Sequence, residues 1–129
     1  MNEILSKFIN NQLPNIDDMY KLKHKDFIKI TKNIDIDIFQ KNQCTIWNGV
    51  LCNKDKPKKG IYINYYFNKK KTTLHRLLYI NFVGPLDDSE YLKFKCVNKG
   101  YCCNINCLEK AKVKKNVGNF DTPNLQVSF

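Results

Sequence analysis

Four cysteines constrain the fold of this chain more than any other feature of its sequence. Cys44 stands alone, and Cys96, Cys102 and Cys107 follow much later at short spacing. Four thiolates can hold zinc tetrahedrally and leave no open coordination position, which is the arrangement of a structural site. Such a site would tie two distant segments together, so we expect zinc affinity to contribute directly to the free energy of folding.

The other two cysteines leave one choice of ligand open. Cys103 lies beside Cys102 and could replace it, whereas Cys52 is more typical of a small buried apolar residue. The N-terminus lacks the basic and apolar segments of a signal peptide, which favours a reducing, intracellular compartment. Because thiols there bind metals more often than they form disulfides, we expect a metal site rather than a secreted, disulfide-linked domain.

The chain also has a strong excess of positive charge. Its 129 residues carry a formal net charge of +10 at pH 7, which favours a polyanionic partner such as nucleic acid. Arg76 is the only arginine, so contact with the phosphate backbone is favoured over base reading, which relies on arginine. Asn, Ile and Lys are abundant and have AT-rich codons, so an AT-rich genome, such as that of a large DNA virus, would also raise the lysine content.

Hydrophobic spacing predicts a mixture of short helices and strands, and no apolar run approaches the ~20 residues of a membrane span. Residues 1–13 predict an amphipathic helix, and residues 34–38 predict either a strand or an irregular arm. Two further strands are predicted at 44–52 and 61–67, joined by a lysine-rich loop, with a second basic turn at 69–71. Beyond them we expect a helix from Thr72 or Thr73 to Phe82, a strand at 91–94 and a basic helix at 110–115.

An ordered set of motifs from Cys44 onward resembles the zinc-stabilised HNH endonucleases, also called His-Me finger or ββα-metal enzymes. The matching residues, in chain order, are Cys44–Gly49 (Cys-x-x-Trp-x-Gly), Gly60–Tyr62, Leu74–Tyr79 with Gly84-Pro85, Cys96, Cys102–Leu108 and Asn116. The resemblance implies an α+β fold with a ββα-metal core at 41–120, an N-terminal helix and arm at 1–40 and a tail at 121–129. It also implies Cys44, Cys96, Cys102 and Cys107 as the zinc ligands, because Cys102 keeps the family's spacing to Cys107.

The chain departs from the family at the position of the general base. The family has a histidine two residues before its zinc-binding cysteine, and this chain has Phe94 there. A phenyl ring cannot accept a proton, and general-base catalysis contributes about two to four orders of magnitude in rate. His75 matches the family's helix histidine, to which we assign a positioning role. Arg76 either contacts a phosphate or lies on an outer helix face, and Asn116 either holds a divalent cation such as magnesium or is a solvated helix residue.

We therefore expect a zinc-binding, HNH-like protein that has lost catalysis and acts as a nucleic-acid-binding or regulatory protein in the host cytoplasm or nucleus. One alternative is an active, magnesium-dependent DNA endonuclease that recruits His75 or His24 as its base. A second alternative is a protein-interaction module, such as an antagonist of a host factor, whose basic surface binds an acidic partner. The expected nucleic-acid contacts are Lys58, Lys59, Lys69, Lys70, Lys71, Arg76, Lys112, Lys114 and Lys115.

Aromatic residues interleaved with these lysines can stack on unpaired bases or pack in the core. Tyr62, Tyr65 and Tyr66 alternate along one predicted strand, so some of them must face inward. We expect core packing for most of them.

Overall fold

Two separate antiparallel hairpins and three helices make up the part of the chain that the computed structural model describes, residues 3–112 without the side chain of Pro57. The architecture is a small α+β fold. The α-helices are α1 (Glu3–Asn11), α2 (His24–Thr31) and α3 (Leu74–Phe82). The strands are β1 (Asn64–Phe67), β2 (Lys70–Thr73), β3 (Glu90–Phe94) and β4 (Leu108–Lys112), paired as β1–β2 and β3–β4. One-turn 3-10 helices lie at Pro57–Lys59 and Ile105–Cys107.

The β1–β2 hairpin turns on two residues with left-handed backbone conformations. Asn68 has φ of 50° and Lys69 has φ of 65°. Positive φ at both central residues is typical of the tight turns that match the twist of a hairpin, and asparagine tolerates this conformation well. The predicted strand at 61–67 is confirmed over its second half. The predicted basic turn is confirmed at Lys69, whereas Lys70 and Lys71 belong to β2.

Two predicted elements are wrong. The segment 44–52 forms isolated bridges, Ile46 with Cys102 and Cys52 with Tyr62, in place of a regular strand. The predicted basic helix is absent at 110–112, because these residues form part of β4, where Lys110 lies opposite Leu92 and Lys112 opposite Glu90. Pairing with β3 overrides the helical preference of a lysine-rich sequence. The rest of that predicted helix, with Lys114, Lys115 and Asn116, lies outside the described residues.

Helix α2 was not predicted from the sequence. It is only two turns long, and Asp26 stabilises its start by accepting a hydrogen bond from the Lys23 backbone N–H at 2.9 Å. The sequence predicted either a strand or an irregular arm at 34–38, and the structure has the irregular arm, with Ile34 and Ile38 buried in the core. The two helices predicted from hydrophobic periodicity are confirmed as α1 and α3, and the predicted strand at 91–94 is confirmed as β3.

Helix α3 is the element on which the N-terminal segment packs. Phe82 of α3 contacts the ring edges of Phe8 and Phe39, with centroids 5.3 Å away in both cases, and Phe8 contacts Phe27 at 5.7 Å. The fully buried amide of Asn81 accepts hydrogen bonds from the Leu22 N–H at 2.9 Å and from the Gln12 amide at 2.8 Å. These contacts fix residues 3–40 against the same helix that carries His75 and Arg76.

Candidate metal centre

The Sγ atoms of Cys44, Cys96, Cys102 and Cys107 converge on one point. All four sulfur atoms lie within 4.8 Å of one another, with Cys102 buried and the other three cysteines half-buried. A zinc ion with four Zn–S bonds of ~2.3 Å separates its sulfur ligands by about 3.8 Å, so the cluster has the size that a tetrahedral site needs. Four thiolates suit a soft or borderline ion. The cluster could therefore bind a metal ion such as zinc.

Backbone hydrogen bonds hold the Cys44 segment against the loop that carries Cys102. The Cys103 N–H donates to the Thr45 carbonyl at 2.6 Å, and the Trp47 N–H donates to the Tyr101 carbonyl at 2.9 Å. The Cys102 N–H donates to the Asn98 carbonyl at 3.0 Å and so closes the turn that presents its sulfur atom. Cys44 is thus placed by a few antiparallel backbone hydrogen bonds to a segment that is far away in sequence.

The other two candidate ligands, Cys96 and Cys107, lie at the same end of the β3–β4 hairpin, where β3 ends and β4 begins. Cys96 lies two residues beyond the last residue of β3, and Cys107 is the last residue of the 3-10 turn that precedes β4. The Lys95 N–H donates to the Cys107 carbonyl at 2.8 Å and extends the ladder beyond the strands. The hairpin register therefore brings these two cysteines side by side.

Asn104 organises the loop that carries Cys102 and Cys107, and no role was predicted for it from the sequence. Its side chain is fully buried, and its Nδ2 donates to the carbonyls of Gln40 at 2.6 Å and Gln43 at 2.8 Å. Its Oδ1 accepts from the Asn106 N–H at 2.8 Å. One amide thus joins the segment before Cys44 to the turn that carries Cys107. The sequence signal that could have identified Asn104 was its position between the two candidate ligands Cys102 and Cys107.

Gly100 is a second residue that the sequence did not single out. Its φ is +90°, and a Cβ atom at this position would lie 1.9 Å from the Ile61 carbonyl oxygen. Only glycine combines this backbone conformation with such close approach of another chain segment. The loop between Cys96 and Cys102 therefore packs directly on the residues that lead into β1.

The two remaining cysteines lie outside the cluster. Cys103 is fully buried in the hydrophobic core, and this burial raises the pKa of its thiol. The Cys52 Sγ accepts a hydrogen bond from the Asn64 amide at 3.1 Å. The fold thus directs Cys102, and not its neighbour Cys103, toward the other three sulfur atoms.

Three thiols of the cluster have shifted pKa values. A hydrogen bond from the Asn98 side chain lowers the pKa of Cys44. Burial raises the pKa of Cys102 to about 11 and holds that of Cys107 above its usual range. Metal ligation requires thiolates, and a bound dication favours them strongly over the thiols. Metal binding at this cluster would therefore release protons.

His75 and Phe94 meet beside the cluster. His75 is 2% exposed, and its Nε2–H donates to the Cys102 carbonyl at 2.8 Å. Burial lowers the pKa of His75 to about 4, so its ring is neutral at physiological pH. The ring of Phe94 contacts it edge-on with centroids 4.9 Å apart. Both rings line a small cavity of about 190 Å³, together with Tyr91 and Leu92.

Arg76 and His24 are the other candidates for chemistry. The guanidinium of Arg76 donates to the carbonyls of Glu90 at 2.9 Å and Asp87 at 3.2 Å, and so braces the turn before β3. His24 is exposed at the first position of α2 and is not part of the cysteine cluster. Asn116 lies outside the described residues.

Most of the lysines expected to contact nucleic acid lie in the middle of the chain. Lys58 and Lys59 are exposed in the first 3-10 turn. Lys69, Lys70 and Lys71 are exposed on the β1–β2 hairpin, and Lys112 is exposed at the end of β4. Among the tyrosines, Tyr65 is buried, whereas Tyr66 is 66% exposed and Tyr62 is 36% exposed. The expectation of core packing for most of the three is therefore wrong.

Comparison with known proteins gives a viral relative. A protein of Acanthamoeba polyphaga mimivirus, described as uncharacterized, is 54% identical to this chain over 115 residues. The match covers 89% of this chain and 34% of the viral protein, so the chain spans about a third of the length of that relative. No family model matches the chain. No solved structure matches it. The similarity fits the viral origin that the composition suggested.

Across residues 3–112, none of the helices has the length and apolar character needed to cross a bilayer.

Proposed function

We propose that this chain is a zinc-stabilised nucleic-acid-binding protein, built on an HNH-like ββα-metal scaffold that no longer cleaves its ligand. The observation that carries the proposal is the position of Phe94. β3 ends at Phe94, two residues before Cys96. The same short segment therefore supplies one candidate metal ligand and the phenyl ring that packs on His75. The β3–β4 hairpin would supply the two strands of the ββα unit.

The donor set and its surroundings support a structural metal. Four sulfur ligands complete a tetrahedral shell and leave no position for a reacting water. The ligands come from segments that are far apart in sequence, namely the residues around Cys44, the Cys102 loop and the turn-side end of the β3–β4 hairpin. When bound, zinc would cross-link these segments, and the carbonyl of Cys102 would hold the ring of His75 beside them.

The surroundings of Phe94 support the loss of cleavage. A ββα-metal nuclease needs a base that activates water next to a bound cation. Here the corresponding side chain is a phenyl ring, and the adjacent His75 is buried, neutral and engaged with a backbone carbonyl. Arg76 is likewise engaged with backbone carbonyls. These contacts engage His75 and Arg76 in stabilising the fold, which supports a structural role for both residues.

The charge of the protein supports a nucleic-acid partner. With a net charge of +10 and exposed lysines on the loop and hairpin between Cys52 and α3, contact with phosphates is favoured over contact with bases. The surface we assign to this contact contains Lys58, Lys59, Lys69, Lys70 and Lys71, with Lys112, Lys114 and Lys115 as further candidates.

Metal analysis tests the structural part of the proposal. Protein purified without chelator should contain about one zinc ion per chain. Cys107→Ser should lose the ion and become less stable by about 4 kcal/mol or more, because an opened site no longer holds two segments together. Cys52→Ser is the matched control, because Cys52 lies outside the cluster, and it should keep both the ion and most of the stability. Equal zinc content in both variants would contradict this assignment.

Binding and cleavage assays test the functional part. Duplex DNA should bind with an affinity that falls steeply with salt and depends little on sequence, and it should remain intact with magnesium or manganese. Phe94→His tests whether a base at that position restores cleavage. Cleavage by the wild type that disappears in His75→Ala would instead establish an active nuclease. Absence of binding at low salt, together with binding to an acidic protein, would establish an interaction module.

A further inference from the structure

A second basic surface lies between helix α2 and the β1–β2 turn, partly outside the segment that resembles HNH enzymes. It is a groove of about 400 Å³, lined on the helix side by Lys23, Lys25 and Lys29 and on the hairpin side by Tyr66 and Lys69. All five of these residues are exposed. Four lysines and an aromatic ring therefore surround one concave site.

The walls of the groove are fixed to each other. The hydroxyl of Tyr65 in β1 donates to Asp26 Oδ1 in α2 at 2.6 Å, and both residues are buried. At the turn, the Asn68 amide donates to the Met19 carbonyl at 3.0 Å. These bonds hold the hairpin against the segment that leads into α2, so the groove does not need to form upon binding. A preformed site avoids the entropic cost of ordering its walls.

The four lysines of the groove outnumber the single carboxylate that also lines it, that of Asp26. Asp26 is 3% exposed, and its two carboxylate oxygens accept from the Tyr65 hydroxyl and the Lys23 N–H. Within residues 3–112, no carboxylate forms an ion pair with any of the four lysines of the groove. Lys25 and Lys29 lie one helical turn apart, where like charges repel each other. A bound polyanion would remove this repulsion.

Tyr66 gives the groove a second property that suits a particular class of polyanion. The alternation of β1 directs Tyr65 inward and Tyr66 outward, and Tyr66 remains 66% exposed at the edge of the groove. An exposed aromatic ring beside lysines can stack on an unpaired base while the lysines contact the neighbouring phosphates. In a duplex the base faces are already stacked on each other, so this ring would find no partner there.

We propose that the groove of Lys23, Lys25, Lys29, Tyr66 and Lys69 binds single-stranded nucleic acid, with phosphates on the lysines and a base on Tyr66. The inference builds on the proposed nucleic-acid function and specifies the form of its ligand. Lys69 also belongs to the surface assigned above, so a strand could continue from the groove along the hairpin.

Charge reversal in the full zinc-loaded chain tests the role of the lysines. The probe is a fluorescent oligothymidylate, and binding is followed by anisotropy at several salt concentrations. Lys25→Glu/Lys29→Glu should weaken binding at least 10-fold, and the salt dependence should become shallower by about 0.7 for each phosphate that is no longer neutralised. Lys41→Glu/Lys93→Glu changes the net charge equally at exposed positions outside the groove and should have a much smaller effect. Equally weakened binding in the two double variants would overturn the inference.

Substitution of the ring tests stacking separately from charge. Tyr66→Ala should weaken binding of the oligothymidylate by about 5-fold or more, whereas Tyr66→Phe should bind as the wild type does, because stacking requires only the ring. Neither variant should weaken duplex binding. Because Tyr66 is exposed, both variants should keep the circular dichroism spectrum and zinc content of the wild type. Wild-type affinity of Tyr66→Ala for the single strand would contradict the inference.

A third variant separates failure of this inference from failure of the proposed function. Lys58→Glu/Lys59→Glu alters the other lysine surface and leaves the groove intact. If it loses binding to single strands while the groove variants keep it, the groove inference is wrong and the proposed function stands. If the wild type binds neither single strands nor duplex at low salt, both are wrong. Binding of poly-glutamate as strong as that of the oligonucleotide would show that the groove recognises acidic peptides instead.

Discussion

The ring of Phe94 meets the ring of His75 edge-on, with centroids 4.9 Å apart and ring planes at 88°. His75 in turn donates a hydrogen bond to the carbonyl of Cys102 at 2.8 Å. Through these two contacts, His75 of helix α3 joins strand β3 to the loop that carries Cys102. The two rings therefore pack the strand and the helix together beside the four cysteines.

Gly100→Ala should destabilise the protein severely. The added methyl group would lie 1.9 Å from the Ile61 carbonyl oxygen, and backbone atoms cannot yield cheaply to such a clash. We expect a decrease of more than about 3 kcal/mol in the free energy of unfolding, together with weaker zinc retention, because the loop carries Cys102. Urea unfolding followed by Trp47 fluorescence measures the first effect and a zinc-release assay measures the second.

Gly60→Ala provides the control for the Gly100 variant. Gly60 has a similar φ of +86°, but no atom lies within 4 Å of the position that an added methyl group would take. The substitution should therefore cost only the strain of a left-handed backbone, about 1–2 kcal/mol. Equal destabilisation in the two variants would show that backbone strain, and not the contact with Ile61, makes Gly100 necessary.

Asn104→Ala should be much more destabilising than Asn106→Ala. Removal of the buried Asn104 amide leaves the carbonyls of Gln40 and Gln43 without their donor, which we expect to cost about 2–4 kcal/mol. Asn106 donates to the carbonyls of Phe39 and Gln40 from an exposed position, where water can replace it, so its removal should cost less than about 1 kcal/mol. Thermal or urea unfolding of both variants measures the difference, and similar values would show that Asn104 does not organise the loop.

Asp37 should make stability depend on pH in the acid range. Burial alone would raise the pKa of Asp37, but hydrogen bonds from Lys7 Nζ at 2.7 Å, from the Gln40 amide and from the Phe39 N–H outweigh it and hold the pKa below its usual range. A carboxyl with a lowered folded-state pKa stabilises the fold above its unfolded pKa of about 3.9. That contribution disappears as the pH falls through the folded-state pKa.

Comparison of the wild type with Asp37→Asn isolates this contribution. The difference in unfolding free energy between the two proteins should be largest near neutral pH and should shrink below about pH 4. Acid also releases a thiolate-bound metal, but it does so in both proteins, so the difference between them is the informative quantity. Lys7→Gln should reduce the pH dependence in part. A difference that stays constant from neutral pH to about pH 3 would contradict the assignment.

The sequence by itself indicated which residues could form the metal centre and where the most regular elements lie. Thiolate chemistry depends on residue type, so Cys44, Cys96, Cys102 and Cys107 were candidates before any fold was known. The periodicity of α3 and the short β-prone run of β3 are local patterns, and both predictions were confirmed. The resemblance to HNH enzymes supplied the choice of Cys102 over Cys103.

Tertiary structure decided the features that depend on partners distant in the chain. β4 is a strand because β3 lies beside it, although its lysines favour a helix. Asn104 and Gly100 became important through the carbonyls of Gln40, Gln43 and Ile61, which no local pattern identifies. The groove exists because Tyr65 reaches Asp26 from another element. Such contacts are determined by packing and by satisfaction of buried polar groups, which act on the folded chain as a whole.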